Sequence, residues 1–312
     1  MNFFTLSSIV FLTIFSSFSH ATAKPKNMQD LSSFGENPGQ LSANYLAATS
    51  ANKPLVVLLH GCIQNGVSLA QQSGLYSQAK KQNFTLLIPQ QNKNNNAKLC
   101  FNWFSSQDIE HNKGELLSLK NMILTTSELT KASKVYIVGL SAGGAMTSNL
   151  MVQYPELFEA GAIIAGIPYP CADNLIKAIS CMRSGPSSSS SELASQVIKH
   201  KSNKPHWPRL SIWVGENDKV VHPNNAKILA QQWAKLSSLS EFKKHTLKNE
   251  VTRQVWRNSQ DEKQVELVSI GAIGHGYPIN PTLNSDEQAA DFVIPTSISA
   301  TTEILKFWHL DN

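Results

Sequence analysis

The segment Val135-Tyr-Ile-Val-Gly-Leu-Ser-Ala-Gly-Gly144 decides the fold. Residues 135–138 are apolar and typical of a buried strand, and helical spacing follows over residues 142–154. Between them, the pattern Gly-x-Ser-x-Gly is centred on Ser141. So tight a turn from strand to helix requires small flanking residues, and it leaves the serine hydroxyl above the sheet edge. The segment predicts a nucleophile elbow; the alternative is a glycine-rich turn with a purely structural role.

The alternation of strand and helix continues on both sides of this segment. Apolar runs typical of buried strands occur at residues 55–59, 85–88, 135–138, 162–165, 210–214 and 265–270. Helical spacing occurs at residues 69–81, 115–129, 145–154, 225–236 and 301–310. Such alternation implies crossover connections, and hence a mostly parallel central sheet with helices on both faces. With the elbow, it predicts the α/β class and the α/β-hydrolase fold.

The composition indicates one large domain. The chain has 312 residues, of which 41% are hydrophobic and 16% are charged, so it can bury a substantial core. We predict a single catalytic domain over residues 24–312, whose polar lead-in at residues 24–51 includes an early strand. Residues 171–206 depart from the strand–helix rhythm and predict a loop or cap insertion. This insertion is either a substrate lid or a flexible surface loop tied at its base by a Cys171–Cys181 bridge.

The N-terminus is typical of an export signal. Residues 9–15 form an apolar core too short to span a bilayer, and Ala21-Thr-Ala23 supplies the small residues that signal peptidase accepts. We predict a signal peptide over residues 1–23 and a mature secreted protein, extracellular or periplasmic, that begins near Lys24. The alternative is a buried N-terminal helix. No later stretch is apolar enough to cross a membrane, so stable membrane association is not expected.

Cysteine usage and charge restrict the partners. Cys62, Cys100, Cys171 and Cys181 would pair in an oxidising compartment, and the residues alone leave three pairings open. No C-x-x-C or H-E-x-x-H pattern occurs, so neither a metal nor a cofactor is expected. The net charge of +5 comes from scattered Lys and Arg without a basic block, so nucleic acid is not an expected partner. The oligomeric state is left open.

A nucleophilic serine needs a histidine to take its proton and an acid to orient that histidine. In this fold the order along the chain is serine, acid, histidine. The predicted base is His275, in a glycine-rich loop after the strand at residues 265–270. His222 lies too close to the candidate acid and His245 lies in a Lys-rich stretch. We therefore interpret both as surface or loop histidines.

The predicted acid is Asp218, in a short loop after the strand at residues 210–214. Glu216 is the alternative, because a carboxylate two residues away could reach the same imidazole. We interpret Asp173 as a residue of the insertion and Asp261 as a turn residue.

The tetrahedral intermediate needs two N–H donors aimed at its oxyanion. The first predicted donor is the backbone amide of Ala142, the residue after the nucleophile. The second lies in the loop at residues 60–64, where Cys62 would donate through its backbone. His60 is expected to be a buried, hydrogen-bonded loop residue. The alternative for Cys62 is a free nucleophilic thiol, which a disulfide would exclude.

Four motifs together resemble the polyhydroxybutyrate depolymerase and feruloyl/acetylxylan esterase family. They are Pro54-Leu-Val-Val-Leu-Leu-His-Gly-Cys-Ile-Gln64, Cys100-Phe-Asn-Trp-Phe104, Gly139-Leu-Ser-Ala-Gly-Gly-Ala-Met146 and Tyr154-Pro-Glu-Leu-Phe158. The resemblance covers roughly residues 54–278, and the motifs are specific to the family but not to one substrate.

The resemblance implies roles for particular residues. It implies a triad of Ser141, Asp218 and His275, and it implies that the Cys62 amide serves the oxyanion hole. It also implies a Cys62–Cys100 disulfide and a Trp103 that lines the acyl pocket; core packing is the alternative for Trp103.

The chain departs from its relatives at Phe101, where they often carry Trp, which bears on pocket shape. The segment Gly276-Tyr-Pro278 resembles the polyester depolymerase branch more than the feruloyl branch.

The leading hypothesis is a secreted serine carboxylesterase for short hydroxyacyl esters, including poly- or oligo-3-hydroxybutyrate. A feruloyl or acetylxylan esterase is the alternative enzyme, and a non-catalytic binding protein on the same scaffold is the alternative of another class. Because no linker and substrate-binding module follows residues 301–310, tight adsorption to crystalline polymer is not expected.

Overall fold

The computed structural model describes residues 24–199, 206–247, 250–271 and 273–311. Within these ranges, ten strands form one sheet in the order β1-β2-β4-β3-β5-β6-β7-β10-β9-β8. They are β1 (Gln29–Asp30), β2 (Ser42–Leu46), β3 (Leu55–Leu59), β4 (Thr85–Gln90), β5 (Val135–Leu140), β6 (Ala160–Ile164), β7 (Arg209–Gly215), β8 (Lys243–Thr246), β9 (Val251–Arg257) and β10 (Lys263–Ile270). A separate parallel pair joins β11 (Tyr277–Ile279) and β12 (Val293–Pro295). The predicted signal peptide lies outside the described residues.

The centre of the large sheet is parallel. The six strands β4, β3, β5, β6, β7 and β10 run in the same direction. Antiparallel strands flank this parallel centre, with β2 and β1 on one side and β9 and β8 on the other. Every residue of β3, β6 and β7 is buried, as expected where helices cover both faces of a sheet. The predicted mostly parallel sheet is confirmed.

Nine α-helices and one 3-10 turn, Pro155–Leu157, accompany the sheet in the described residues. The helices are α1 (Gly66–Gln72), α2 (Leu75–Gln82), α3 (Ser106–Ile109), α4 (Gly114–Thr130), α5 (Ala142–Gln153), α6 (Leu175–Ser184), α7 (Ser190–Lys199), α8 (Asn224–Leu236) and α9 (Ala300–Trp308). Two apolar clusters cover the two faces of the sheet. One contains Leu119 of α4, Met146 of α5 and Trp233 of α8, and the other contains Leu69 of α1 and Trp308 of α9. No helix in the described part of the chain is long and apolar enough to cross a membrane.

The helical segment predicted at residues 69–81 consists of two helices, α1 and α2. The helical conformation is interrupted at Gly74, whose φ of +74° lies in the left-handed region that favours glycine. The helix α1 begins earlier than predicted because the Asn65 side chain caps it, accepting a hydrogen bond from the Ser68 amide at 2.9 Å. A single apolar periodicity over both helices concealed this break.

The segment at residues 171–206 contains α6 and α7, which the sequence analysis did not predict. A disulfide joins Cys171 to Cys181 at its start, and residues 200–205 lie outside the described ranges. The serine and lysine content of this segment resembles a loop. Both helices nevertheless place a few apolar residues against the body of the protein, including Ala178 and Val197.

The antiparallel strands β8 and β9 were also not predicted. All four residues of β8 are exposed, and among the residues that the structure describes β8 pairs with β9 alone, at the open edge of the sheet. A strand that is exposed on both faces has no apolar alternation, so sequence periodicity cannot reveal it.

Candidate active site

Ser141 lies at the sharp turn between β5 and α5. Its backbone has φ of 57° and ψ of −120°, a combination that costs free energy for a residue with a side chain. Two hydrogen bonds hold this conformation: the Ser141 amide donates to the Ile164 carbonyl at 2.9 Å, and the Ala145 amide donates to the Ser141 carbonyl at 2.9 Å. The serine hydroxyl is thereby fixed above the C-terminal edge of the parallel strands.

The two glycines of the Gly-x-Ser-x-Gly pattern are required by close backbone approaches. A Cβ atom on Gly139 would lie 2.3 Å from the Gly143 carbonyl oxygen, and a Cβ atom on Gly143 would lie 2.3 Å from the Leu59 carbonyl oxygen. Both distances are far below van der Waals contact. The elbow therefore packs directly against the end of β3.

His275 connects the other two predicted residues. Its Nε2 atom lies 2.9 Å from the Ser141 Oγ, and its Nδ1 atom lies 2.7 Å from the Asp218 Oδ2. Because a carboxylate accepts hydrogen bonds, Nδ1 carries the proton in this arrangement, and Nε2 is left to accept from the serine hydroxyl. The histidine side chain is 7% exposed and the aspartate side chain is fully buried. The structure thus brings together three side chains from loops far apart in sequence.

The loop after β7 holds Asp218 in place. Its Oδ1 atom accepts hydrogen bonds from the backbone amides of Val220 and Val221, both at 2.8 Å. One carboxylate oxygen is therefore occupied by the loop itself, and the other faces His275. This division of the two oxygens fixes the orientation of the carboxylate.

The acids and histidines rejected by the sequence analysis lie elsewhere. Glu216 is exposed and pairs with Lys227 at 3.3 Å, and Asp173 pairs with Lys177 at 2.7 Å on the surface. Asp261 occupies the exposed turn between β9 and β10, and His245 is exposed in β8. His222 is also exposed, and its Nδ1 accepts from the Asn224 amide at 3.2 Å.

The loop after β3 places a second backbone amide beside the serine. Neither the amide of Cys62 nor that of Ala142 donates a hydrogen bond to another described residue. Both residues line the cavity into which Ser141 opens. Two unused N–H donors in one cavity are what a developing oxyanion requires.

His60 holds this loop from behind. Its Nδ1 donates to the Gly61 carbonyl at 2.7 Å, and its Nε2 accepts from the Gln91 amide at 3.2 Å. Burial lowers the pKa of His60 to about 4, because the charged imidazolium cannot be solvated there. His60 is therefore neutral at pH 7 and links the ends of β3 and β4, as expected of a buried loop histidine.

A buried carboxylate extends this hydrogen-bonded network. Glu115 accepts from the Gln91 side chain at 2.7 Å, from the Asn102 amide at 2.8 Å and from the Asn102 side chain at 2.7 Å. Burial raises the pKa of Glu115 to about 7. In the sequence, Glu115 is recognisable only as the start of a helical segment. Its role depends on contacts with the distant loop before Trp103, which no local pattern shows.

Replacing His60 with Asn should alter the pH dependence of stability. The unfolded chain takes up a proton near pH 6.5, while the folded chain resists protonation down to about pH 4. Wild-type protein should therefore lose unfolding free energy as the pH falls through this window. H60N should cost about 1–3 kcal/mol at pH 7, because the Gln91 amide loses its acceptor, and this deficit should shrink towards pH 4.

Urea unfolding at pH 7, 5.5 and 4.5 measures this effect. The control is H245N, the same substitution at an exposed histidine, which should follow the wild-type pH profile. An equal pH dependence of wild type and H60N would contradict the assignment of a buried neutral His60.

Ser141 opens into a cavity of about 240 Å³. Its wall is mainly apolar, and the apolar residues that line it include Ile63, Trp103, Leu140, Ile167, Met182, Val220, Val221 and Phe292. Met182 belongs to α6, so the 171–206 segment forms part of this wall. In the described part of the chain, no cluster of three or more His, Cys, Asp and Glu side chains could hold a metal ion.

Trp103 lines this cavity and Phe101 does not. Trp103 is fixed by an edge-on contact with Phe104, at 5.4 Å between ring centroids, and by a bond from the Asn149 side chain to its carbonyl at 2.9 Å. Phe101 is fully buried and packs against His60 at 4.9 Å. Phe101, where family members often carry Trp, therefore affects the packing around His60 more directly than it affects the cavity wall.

A disulfide joins Cys62 to Cys100, and no free cysteine occurs among the described residues. This bridge links the loop with the unused Cys62 amide to the segment that carries Trp103. The thiol of Cys62 is therefore not available as a nucleophile in this structure.

This fold and site define a serine hydrolase of carboxylic esters with the α/β-hydrolase fold. The sequence model described as "Esterase PHB depolymerase" matches residues 41–255, and the chain belongs to this family.

Individual relatives agree with this assignment. The chain is 31% identical over 290 residues to poly(3-hydroxyalkanoate) depolymerase C of Paucimonas lemoignei, covering 90% of this chain and 70% of the relative. It is 28% identical over 277 residues to feruloyl esterase B of Talaromyces funiculosus, covering 83% and 76%. Among solved structures, an acetyl xylan esterase from Aspergillus awamori shares the fold, with a TM-score of 0.71 at 22% identity, covering 80% and 93%.

Proposed function

We propose that the protein is an exported esterase that hydrolyses short hydroxyacyl esters, including poly- or oligo-3-hydroxybutyrate, through an acyl-enzyme on Ser141. The observation that carries this proposal is the position of His275, within hydrogen-bonding distance of both Ser141 and Asp218. Residues 24–312 would form the single catalytic domain.

In the proposed mechanism, His275 Nε2 takes the hydroxyl proton as Ser141 Oγ attacks the ester carbonyl carbon. The buried Asp218 carboxylate stabilises the resulting imidazolium through Nδ1. In this proposal the oxyanion accepts hydrogen bonds from the amides of Cys62 and Ala142, two residues that line the cavity. His275 then gives its proton to the leaving alcohol oxygen as the carbon–oxygen bond breaks, and water repeats these steps on the acyl-enzyme.

The size and the apolar wall of the cavity favour a substrate with a short acyl group. Its volume of about 240 Å³ and its mainly apolar wall suit a compact, uncharged acyl chain of a few carbon atoms rather than a long one. In this proposal Trp103 and Met182 contact the acyl chain. The similarity to the poly(3-hydroxyalkanoate) depolymerase of Paucimonas lemoignei over 90% of this chain agrees with a hydroxyacyl substrate.

The proposed export rests on the sequence of residues 1–23 and on the cysteines. The two disulfides among the described residues are compatible with an oxidising compartment outside the cytosol.

A substrate panel on the purified mature protein tests the proposal. We expect hydrolysis of p-nitrophenyl butyrate and release of soluble acid from a poly-3-hydroxybutyrate film, with slower turnover of methyl ferulate and acetylated xylan. A preference for methyl ferulate or acetylated xylan would favour the alternative esterase. Absence of labelling by a fluorophosphonate probe would instead favour a non-catalytic binding protein.

A further inference from the structure

A second cavity, of about 270 Å³, lies beside the active-site cavity. Ile63, Gln64 and Phe292 line both cavities. The two spaces are therefore neighbours that share these three wall residues. The proposed reaction at Ser141 does not involve the second cavity.

The wall of the second cavity combines apolar with polar surface and is more polar than that of the first. The side chains that give it this character are Gln64, Asn65, Ser68, Gln72, Gln90 and Asp291. Gln90 is committed to the backbone, since its Oε1 accepts from the Gly66 amide at 2.8 Å and its Nε2 donates to the Gln91 carbonyl at 2.9 Å. The Gln72 carboxamide makes no hydrogen bond to another described residue, and it is half-buried at the cavity wall.

The position of the second cavity relates it to the leaving group. His275 Nε2 must give its proton to the alcohol oxygen of the ester, so the alcohol portion lies on the histidine side of the scissile bond. The ring of Phe292 lies 5.9 Å from the ring of His275 between centroids. With the acyl portion in the apolar cavity, an alcohol portion that extends past His275 and Phe292 would be directed towards the second cavity.

We infer that this second cavity, called here the alcohol-side cavity, binds the alcohol portion of the substrate. Its carboxamide N–H groups would donate to carbonyl oxygens, so the chemical class that fits is a neutral alcohol carrying an ester group, as in the next hydroxyacyl unit of an oligoester. This inference rests on the proposed function and specifies its substrate further.

Asp291 would make the alcohol-side cavity discriminate between neutral and negatively charged alcohol portions. Its carboxylate is exposed at the alcohol-side cavity and forms no ion pair with another described residue. A free carboxylate on the alcohol portion would approach this charge and be repelled. The alcohol-side cavity should therefore favour an internal unit of a chain, whose carboxyl is esterified, over a terminal unit with a free acid.

Three esters that share one acyl group test the inference. They are p-nitrophenyl butyrate, methyl 3-butyryloxybutyrate and the free acid 3-butyryloxybutyrate. Butyrate release is the readout, because methyl 3-butyryloxybutyrate also carries a methyl ester. Release of butyrate from any of the three passes through the same butyryl-enzyme, so differences in kcat/KM report only how the alcohol portion is bound and expelled. The ratio of kcat/KM for the methyl ester to that for the free acid measures the charge selection.

D291N should lower this ratio roughly threefold at low salt, and the difference from wild type should fade at high salt. The matched control is D286N, which removes a charge from an exposed residue of the same segment that does not line the cavity. An equal ratio in wild type, D286N and D291N would overturn the charge selection.

Q72M should raise KM for methyl 3-butyryloxybutyrate roughly fivefold, through the lost hydrogen bond, with little change in kcat. The ratio of KM for the methyl ester to KM for p-nitrophenyl butyrate should therefore rise, because p-nitrophenol carries no ester carbonyl that could accept a hydrogen bond from Gln72. Q78M in α2, outside the cavity, is the control. An equal effect of Q72M on both esters, or a wild type that cannot hydrolyse the methyl ester, would overturn the inference. Neither result would touch the proposed role of Ser141, which p-nitrophenyl butyrate reports separately.

Discussion

Replacing Ser141 with Ala should reduce turnover of p-nitrophenyl butyrate by roughly a millionfold, as in other serine hydrolases that lose their nucleophile. The alanine cannot form the acyl-enzyme, and His275 has no hydroxyl proton to accept. The structure explains why the fold should survive, since the bonds to Ile164 and from Ala145 that hold the elbow use only the backbone.

Initial rates with p-nitrophenyl butyrate and labelling with a fluorophosphonate probe measure this effect. The control is the unfolding free energy of the variant in urea, which should stay near that of wild type. A folded S141A protein that still turns over the ester at a substantial fraction of the wild-type rate would remove Ser141 from the mechanism.

Replacing Asp218 with Asn should reduce kcat by roughly ten-thousandfold, the loss seen when a triad acid becomes an amide. The loop after β7 determines how the Asn side chain is oriented. The amides of Val220 and Val221 both donate to Oδ1 at 2.8 Å, so the Asn oxygen must take this position. Its NH₂ group then faces His275 Nδ1, which must accept a hydrogen bond from it, so the imidazole proton moves to Nε2. A protonated Nε2 cannot accept the hydroxyl proton of Ser141.

The matched control is E216Q. Glu216 is the carboxylate two residues away that could have competed for the same histidine, but it is exposed and pairs with Lys227. Rates for E216Q should stay within about twofold of wild type, because exposed ion pairs contribute little. A large loss in E216Q together with an active D218N would exchange the two roles.

The fold was largely predictable because its signals are local. Each central strand contains a mostly apolar run, and Gly139-Leu-Ser-Ala-Gly143 specifies its own turn through close backbone contacts. The strands β8 and β9 were not predictable for two reasons. The exposed β8 gains its structure from pairing with β9, and the buried residues Val251, Val255 and Trp256 of β9 do not alternate regularly with exposed ones. The break at Gly74 was missed because the apolar spacing continues across it.

The site divides in the same way. The sequence proposed Ser141, Asp218 and His275 from the loops they occupy, and the structure places them in contact. It could not indicate Phe292, which reaches the cavity wall from a loop beyond β11, or Glu115, which is buried by a loop of amide side chains. The roles of such residues depend on tertiary contacts between distant segments, and the sequences of these segments contain no motif that indicates the contacts.

The open edge of the sheet has a consequence for behaviour in concentrated solution. An unpaired strand edge is a template on which another chain can add a strand, and this is a common route to aggregation. At this edge, β8 presents Lys243 and Lys244 to solvent. An incoming strand would have to place its backbone beside two ammonium groups and displace their hydration. Lysine placed at the rim of the sheet thus protects the protein from polymerising with itself.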